Sequence, residues 1–115
     1  MPTELRRHAR YDVRLSAEFT GKSGKLETAT TKNVSVGGAA LELGHVALSD
    51  GQDVQLSLFL VVEGVEDPEK PPLVVGAKVV WTGEGDDGSF TAGVRFENIT
   101  AEQSKWLERF LEVTA

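Results

Sequence analysis

Three arginines fall within five residues near the start of the chain, in Arg6-Arg7-His8-Ala9-Arg10, and Arg14 follows a short step later. Arginine carries a planar fork of donors that makes paired hydrogen bonds to phosphate, or to the O6 and N7 acceptors of guanine, and it stacks on a purine face. Arg6 and Arg10, four apart, turn toward one anion if the segment forms a helical turn and straddle it if the segment is extended. On its own a basic N-terminal arm is usually solvated. A second group of polar residues lies at Asn33-Val34-Ser35-Val36-Gly37-Gly38, between two apolar stretches. Asn and Ser offer side-chain donors and acceptors, and glycine lets a ligand approach backbone N–H groups with no Cβ in the way. A plain structural turn explains the glycines well but accounts less well for Asn33 and Ser35.

Other chemistry finds little support. Nucleophilic and general-base catalysis usually rests on a His, a Cys or paired carboxylates held on a framework. This chain has no cysteine and only His8 and His45, one in the arm and one in a surface loop, so no catalytic residue is assigned and an enzyme is not expected. The acidic clusters Glu66, Asp67, Glu69 and Glu84, Asp86, Asp87 lack the ligand order of a calcium loop and read as solubilising loops, and no metal or cofactor is expected.

Charge narrows the ligand further. The net charge of −6 and pI near 4.9 argue against DNA or RNA as a partner, because phosphate backbones demand a basic footprint. Residues 1–33 nevertheless hold seven Lys or Arg against four Asp or Glu, a net of +3 that leaves −9 for the remainder. Such an arrangement suits a small compact anion and repels a long polyanion. The 115 residues fit one domain, no apolar run approaches the roughly 20 residues that cross a bilayer, and no apolar stretch follows the arginines as in a secretory signal. A cytoplasmic protein, monomeric or homodimeric and without membrane insertion, is the expectation.

The elements that must position these residues are mostly strands. Tyr11 to Phe19 alternates apolar and polar residues, Gly21-Lys22-Ser23-Gly24 is a hairpin turn, and Leu26 to Asn33 continues as a second strand. Ala39 to Leu43, Asp53 to Val62, Leu73 to Trp81 and Phe90 to Phe96 add four more, with Glu63 to Pro72 a loop. Trp81 falls on the inward face of its strand, as core or barrel rim. Six short strands close most naturally as an antiparallel barrel, so the fold class is mainly β. Thr100-Ala101-Glu102-Gln103 matches a capping box, after which Gln103, Trp106, Leu107, Phe110 and Leu111 share one face of a C-terminal helix, expected to pack as a lid on the barrel.

Taken together, Arg6-x-x-x-Arg10, 22 intervening residues, and Asn33-x-Ser35-x-x-Gly38 resemble the two-part signature of PilZ domains. Val79-Val80-Trp81 and Gly93-Val94-Arg95-Phe96 look like the late strands of that family, and the resemblance covers residues 4–113. It implies a six-stranded barrel with a C-terminal helix, here a stand-alone domain of residues 11–115 behind a flexible arm of residues 1–10. It also implies a receptor for the bacterial second messenger cyclic di-GMP. Arg6 and Arg10 would grip phosphate and guanine, Asn33, Ser35 and Gly38 would hold a guanine from the strand turn, and Arg7 would be auxiliary. The arm would wrap over the barrel mouth and a downstream protein would read the change, with motility, exopolysaccharide, biofilm and virulence outputs all open. The alternative within the same family is a protein-interaction adaptor that binds no nucleotide, as in type IV pilus function.

Overall fold

The computed structural model describes residues 10–21, 23–60 and 72–114. Six strands, β1 (Ser16–Thr20), β2 (Leu26–Ser35), β3 (Gly38–Gly44), β4 (Asp53–Leu58), β5 (Leu73–Glu84) and β6 (Phe90–Phe96), precede one helix, α1 (Ala101–Thr114). They close into an antiparallel barrel in the order β1-β2-β3-β6-β5-β4. Closure gives each of the six strands a paired neighbour on both sides, and the alternation seen in the sequence becomes an inside and an outside. Phe19, Leu41, Leu56, Leu58, Leu73 and Val79 are all buried inside.

The first strand is shorter than its alternation suggests. Val13 and Leu15 are buried as expected, yet regular pairing begins only at Ser16, opposite Thr30. The reason lies in Thr31, a fully buried polar residue. Its hydroxyl donates to the Val13 carbonyl at 2.6 Å and accepts from the Leu15 amide at 2.7 Å, while its own amide donates to the Leu15 carbonyl. One side chain therefore satisfies backbone groups that a ladder would otherwise pair. Beyond this point a bulge at Lys32 shifts the register of β2 against β3, and Tyr11 rejoins β2 through two 2.9 Å hydrogen bonds with Val34.

Replacing Thr31 by valine keeps the shape and strands two buried backbone groups. At roughly 1–3 kcal/mol for each unsatisfied group, Thr31→Val is expected to lower stability by about 2–6 kcal/mol, and Thr31→Ser, which keeps the hydroxyl, by less. Urea denaturation of the two variants beside the wild type measures this; an unchanged midpoint for Thr31→Val would disprove the latch.

Of the strand expected over Asp53 to Val62, β4 covers Asp53–Leu58, and Val61 and Val62 lie outside the described residues, as does the loop expected over Glu63 to Pro72 except for Pro72. At the C-terminus the capping box is formed. The Gln103 amide donates to Thr100 Oγ1 at 3.1 Å and the Thr100 amide to Gln103 Oε1 at 3.0 Å. Helix α1 buries Leu107, Phe110 and Leu111 in the same apolar cluster as the barrel interior, and Gln103 Nε2 donates to the Val74 carbonyl, tying the helix to β5. Its apolar face is thus a packing surface, as the lid reading had it.

Candidate functional site

The antiparallel β1–β2 hairpin explains how Arg10 meets the second motif, from which 22 residues of chain separate it. The Tyr11–Val34 bridge sets Arg10 next to the end of β2, where Asn33 and Ser35 stand. These residues are strand rather than turn: only Val36 and Gly37 form the reversal, and Gly38 already begins β3. Ser35 Oγ accepts from the Gly37 amide at 3.1 Å and donates to the Gly38 carbonyl at 3.4 Å, so its nearly buried hydroxyl braces this reversal.

Register then carries the site across four strands. Asn33 pairs with Ala40, Ala40 with Gly93, and Gly93 with Trp81, which makes one transverse row over β2, β3, β6 and β5. Paired residues point to the same side of a sheet. The neighbouring row, Val34, Ala39, Val94 and Val79, is buried and faces the core, so the Asn33 row faces out. One step along, Ser35 pairs with Gly38 and Gly38 with Arg95 on that same outer side.

These residues, with Arg10, line a cavity of about 240 Å3. Gly38, Ala40 and Gly93 make a floor of small residues, and Arg10, Asn33, Trp81 and Arg95 are the larger groups around it. The cavity therefore lies on the outer wall of the barrel, not at its mouth as the sequence had suggested. Arg6 and Arg7 lie outside the described residues, as does all of the expected arm but Arg10. Arg14 is not in the cavity; its guanidinium pairs with Glu42 on β3 at 2.7 Å.

Of the larger groups around the cavity, Trp81 and Arg95 are not assigned to the site by the sequence. Trp81, assigned inward by alternation, is 40% exposed because β5 bulges at Val80: Val79 faces Val94, yet Trp81 faces the adjacent Gly93. The extra residue reverses the inside–outside phase. Arg95 adds a second guanidinium, shared at 3.5 Å with Glu97. Its only sequence signal was an outward position on β6; that it stands opposite Gly38 follows from the β3–β6 pairing alone.

Gly38 itself has a different constraint from the one expected. A Cβ there would run into the Val94 carbonyl oxygen and lie within 3.2 Å of Val94 C and 3.3 Å of Arg95 Cα, all β6 backbone. The missing side chain makes room for a strand, whatever else approaches. The acidic turn after β5 is likewise structural. Asp87 Oδ1 accepts from the Ser89 hydroxyl at 2.6 Å and the Ser89 amide at 3.0 Å, and these bonds hold its carboxyl below the usual value. Among the described residues no cluster of three or more His, Asp or Glu could hold a metal ion, and no helix is long and apolar enough to cross a membrane.

A closed barrel carrying an outward cavity with two guanidinium groups, an aromatic ring and a small-residue floor has the design of an anion-binding β-barrel domain. The model of the PilZ domain family matches residues 4–113, and the chain belongs to that family. No curated protein sequence matches the chain. Among solved structures it is similar to the inhibitor of motility MotI/DgrA of Bacillus subtilis, at 17% identity and a TM-score of 0.77 over 93% of this chain and 49% of that one. It is also similar to the PilZ domain of YcgR from Escherichia coli with c-di-GMP, at 14% identity and a TM-score of 0.75 over 95% and 90% of the two chains. The MrkH–c-di-GMP complex of K. pneumonia matches at 18% identity and a TM-score of 0.71 over 93% and 51%. The chain thus spans about half the length of MotI/DgrA and MrkH and nearly all of the YcgR domain. At these identities the likeness is one of fold.

Proposed function

We propose that this protein is a cytoplasmic receptor for cyclic di-GMP that relays binding to a downstream protein. The observation that carries the proposal is the meeting of Arg10 with Asn33, Ser35 and Gly38 around one outward cavity, in a chain of the PilZ family. The YcgR domain of the same fold was solved with c-di-GMP, which supports the choice of ligand.

The ligand carries two phosphates and two guanines. Arg10, joined by Arg6 from the segment before it, takes phosphate and the acceptor edge of guanine through forked, charge-assisted bonds, and Arg7 adds charge. Asn33 supplies an amide at the rim, and the Ser35–Gly38 reversal presents backbone groups. Trp81 offers an aromatic face to a guanine, with Arg95 beside it. A ligand held between residues 6–10 and the barrel wall changes the surface there, and that surface is what a partner reads. The chain's net charge of −6 makes a protein, not DNA or RNA, the partner of choice.

Isothermal titration of cyclic di-GMP into the purified protein, with GTP as the control, tests the reading. Saturable heat with the cyclic dinucleotide alone is expected, and the stoichiometry separates one ligand from an intercalated pair. No heat from protein shown to be folded would overturn the receptor and favour the nucleotide-free adaptor.

A further inference from the structure

Two glycines of the cavity floor look alike in the sequence and differ in what fills the space above them. At Gly38 the nearest atoms to an added Cβ are β6 backbone. At Gly93 the three nearest are Nε1, Cε2 and Cδ1 of one side chain, Trp81, and a methyl group there would overlap them. The five-membered ring of the indole therefore occupies the place where a side chain at 93 would begin. Its far ring reaches back toward β5, with Cζ3 4.0 Å from the point a Cβ on Gly83 would take. Trp81 thus lies spread over the strand pair rather than standing off it, although 40% of it remains exposed.

We infer that Gly93 is a positioning residue of the ligand site: with the bulge at Val80, its missing side chain seats the Trp81 indole against β6 and sets the aromatic wall of the cavity before ligand arrives. The inference rests on the receptor reading above. A tryptophan turned out of a strand ordinarily samples several rotamers, and each one excluded in advance is ordering that binding need not impose. The bulge decides which side of the wall the ring is on, and the glycine decides how it lies there. Gly93 itself touches the ligand cavity only through its backbone; its effect passes through Trp81.

The atoms that an alanine at 93 would displace belong to a partly exposed side chain, so the ring can yield and the barrel can stay closed. The test uses Trp106→Phe as the parent, which leaves Trp81 as the sole tryptophan of the two in the chain. In the ligand-free parent, Gly93→Ala is expected to shift Trp81 emission to the red and alter its near-ultraviolet circular dichroism, without lowering Tm. Titrated with cyclic di-GMP, Gly93→Ala should bind roughly ten- to a hundredfold more weakly, the range of one lost base–aromatic stack. In a Trp81→Ala background the same substitution should change affinity by less than about twofold, because the residue through which it acts is gone.

Unchanged emission would overturn the seat. An equal loss of affinity with and without Trp81 would overturn the route through the indole and place the effect in the β6 backbone. A parent that binds no cyclic di-GMP would overturn the receptor reading and the seat's part in binding together, while the emission shift still decides separately whether Gly93 seats the ring.

Discussion

Gly38→Val is expected to open the barrel. Gly38 stands at the start of β3 directly opposite Arg95, where β3 and β6 complete the wall. A Cβ there meets the Val94 carbonyl and the Arg95 Cα, and a backbone partner cannot turn aside as a side chain can. The Phe96 amide, bonded to the Gly37 carbonyl at 2.9 Å, holds the same two strands together one step away, so displacing β6 strains that bond as well. Overpacking of a well-fitted site costs roughly 1–3 kcal/mol and sometimes more, and a rigid neighbour with a branched side chain puts this site at or above the upper end. Against a total of about 5–15 kcal/mol for a domain, a loss of that size lowers Tm by roughly 10 °C or more, or leaves no folded protein at all. Thermal unfolding of the ligand-free variant decides it. A transition within a degree or two of the wild type would mean that β6 yields, and would return the glycine to the purely ligand-facing role read from the sequence.

Arg10→Ala is expected to have the opposite profile, an intact barrel that has lost its ligand. The Arg10 side chain is exposed at the cavity, and the backbone bonds that fix this stretch belong to its neighbour Tyr11, so truncation removes little from the fold. What it removes is a fork of charged donors. Each charge-assisted bond contributes roughly 1.5–3 kcal/mol, which weakens cyclic di-GMP binding by about tenfold to over a hundredfold. Calorimetry on the variant beside the wild type, with Tm as the control, reads both quantities. Wild-type affinity in Arg10→Ala would remove the two-motif site altogether. The contrast with Gly38→Val matters because both residues belong to one sequence signature: loss of binding in Gly38→Val says nothing about contact with ligand until its folding has been measured.

Much of the barrel was legible because its evidence is local. Alternation at Val54, Leu56 and Leu58, or at Ala92, Val94 and Phe96, needs only neighbours in the chain to declare a strand with one buried face, and all six are buried where that pattern puts them. Thr100 and Gln103 announce a helix start at a spacing of three, and their reciprocal bonds form. Half of the pairing of the two motifs was legible too, since a turn at Gly21–Gly24 flanked by two strands must carry the segment near Arg10 back toward the end of the second strand. Alternation misled where an extra residue entered a strand. The bulge at Val80 leaves no mark in the sequence, so alternation puts Trp81 inward although it lies on the outer wall. Thr31 was likewise one threonine in a Thr-rich strand, and nothing in the sequence distinguished the one whose hydroxyl holds Val13 and Leu15.

The sequence by itself determined the fold class, the capped helix, the PilZ family and the residues of the two motifs, since each depends on residue type and on spacing along the chain. Only the tertiary structure decided that the cavity lies on the outer wall, that Trp81 and Arg95 belong to it, and that Gly38 and Gly93 are glycines for different neighbours. Those facts depend on which strands pair and in what register across β2, β3, β6 and β5. Register is set by the combined fit of all the strands around a closed barrel, and no local stretch of sequence contains it.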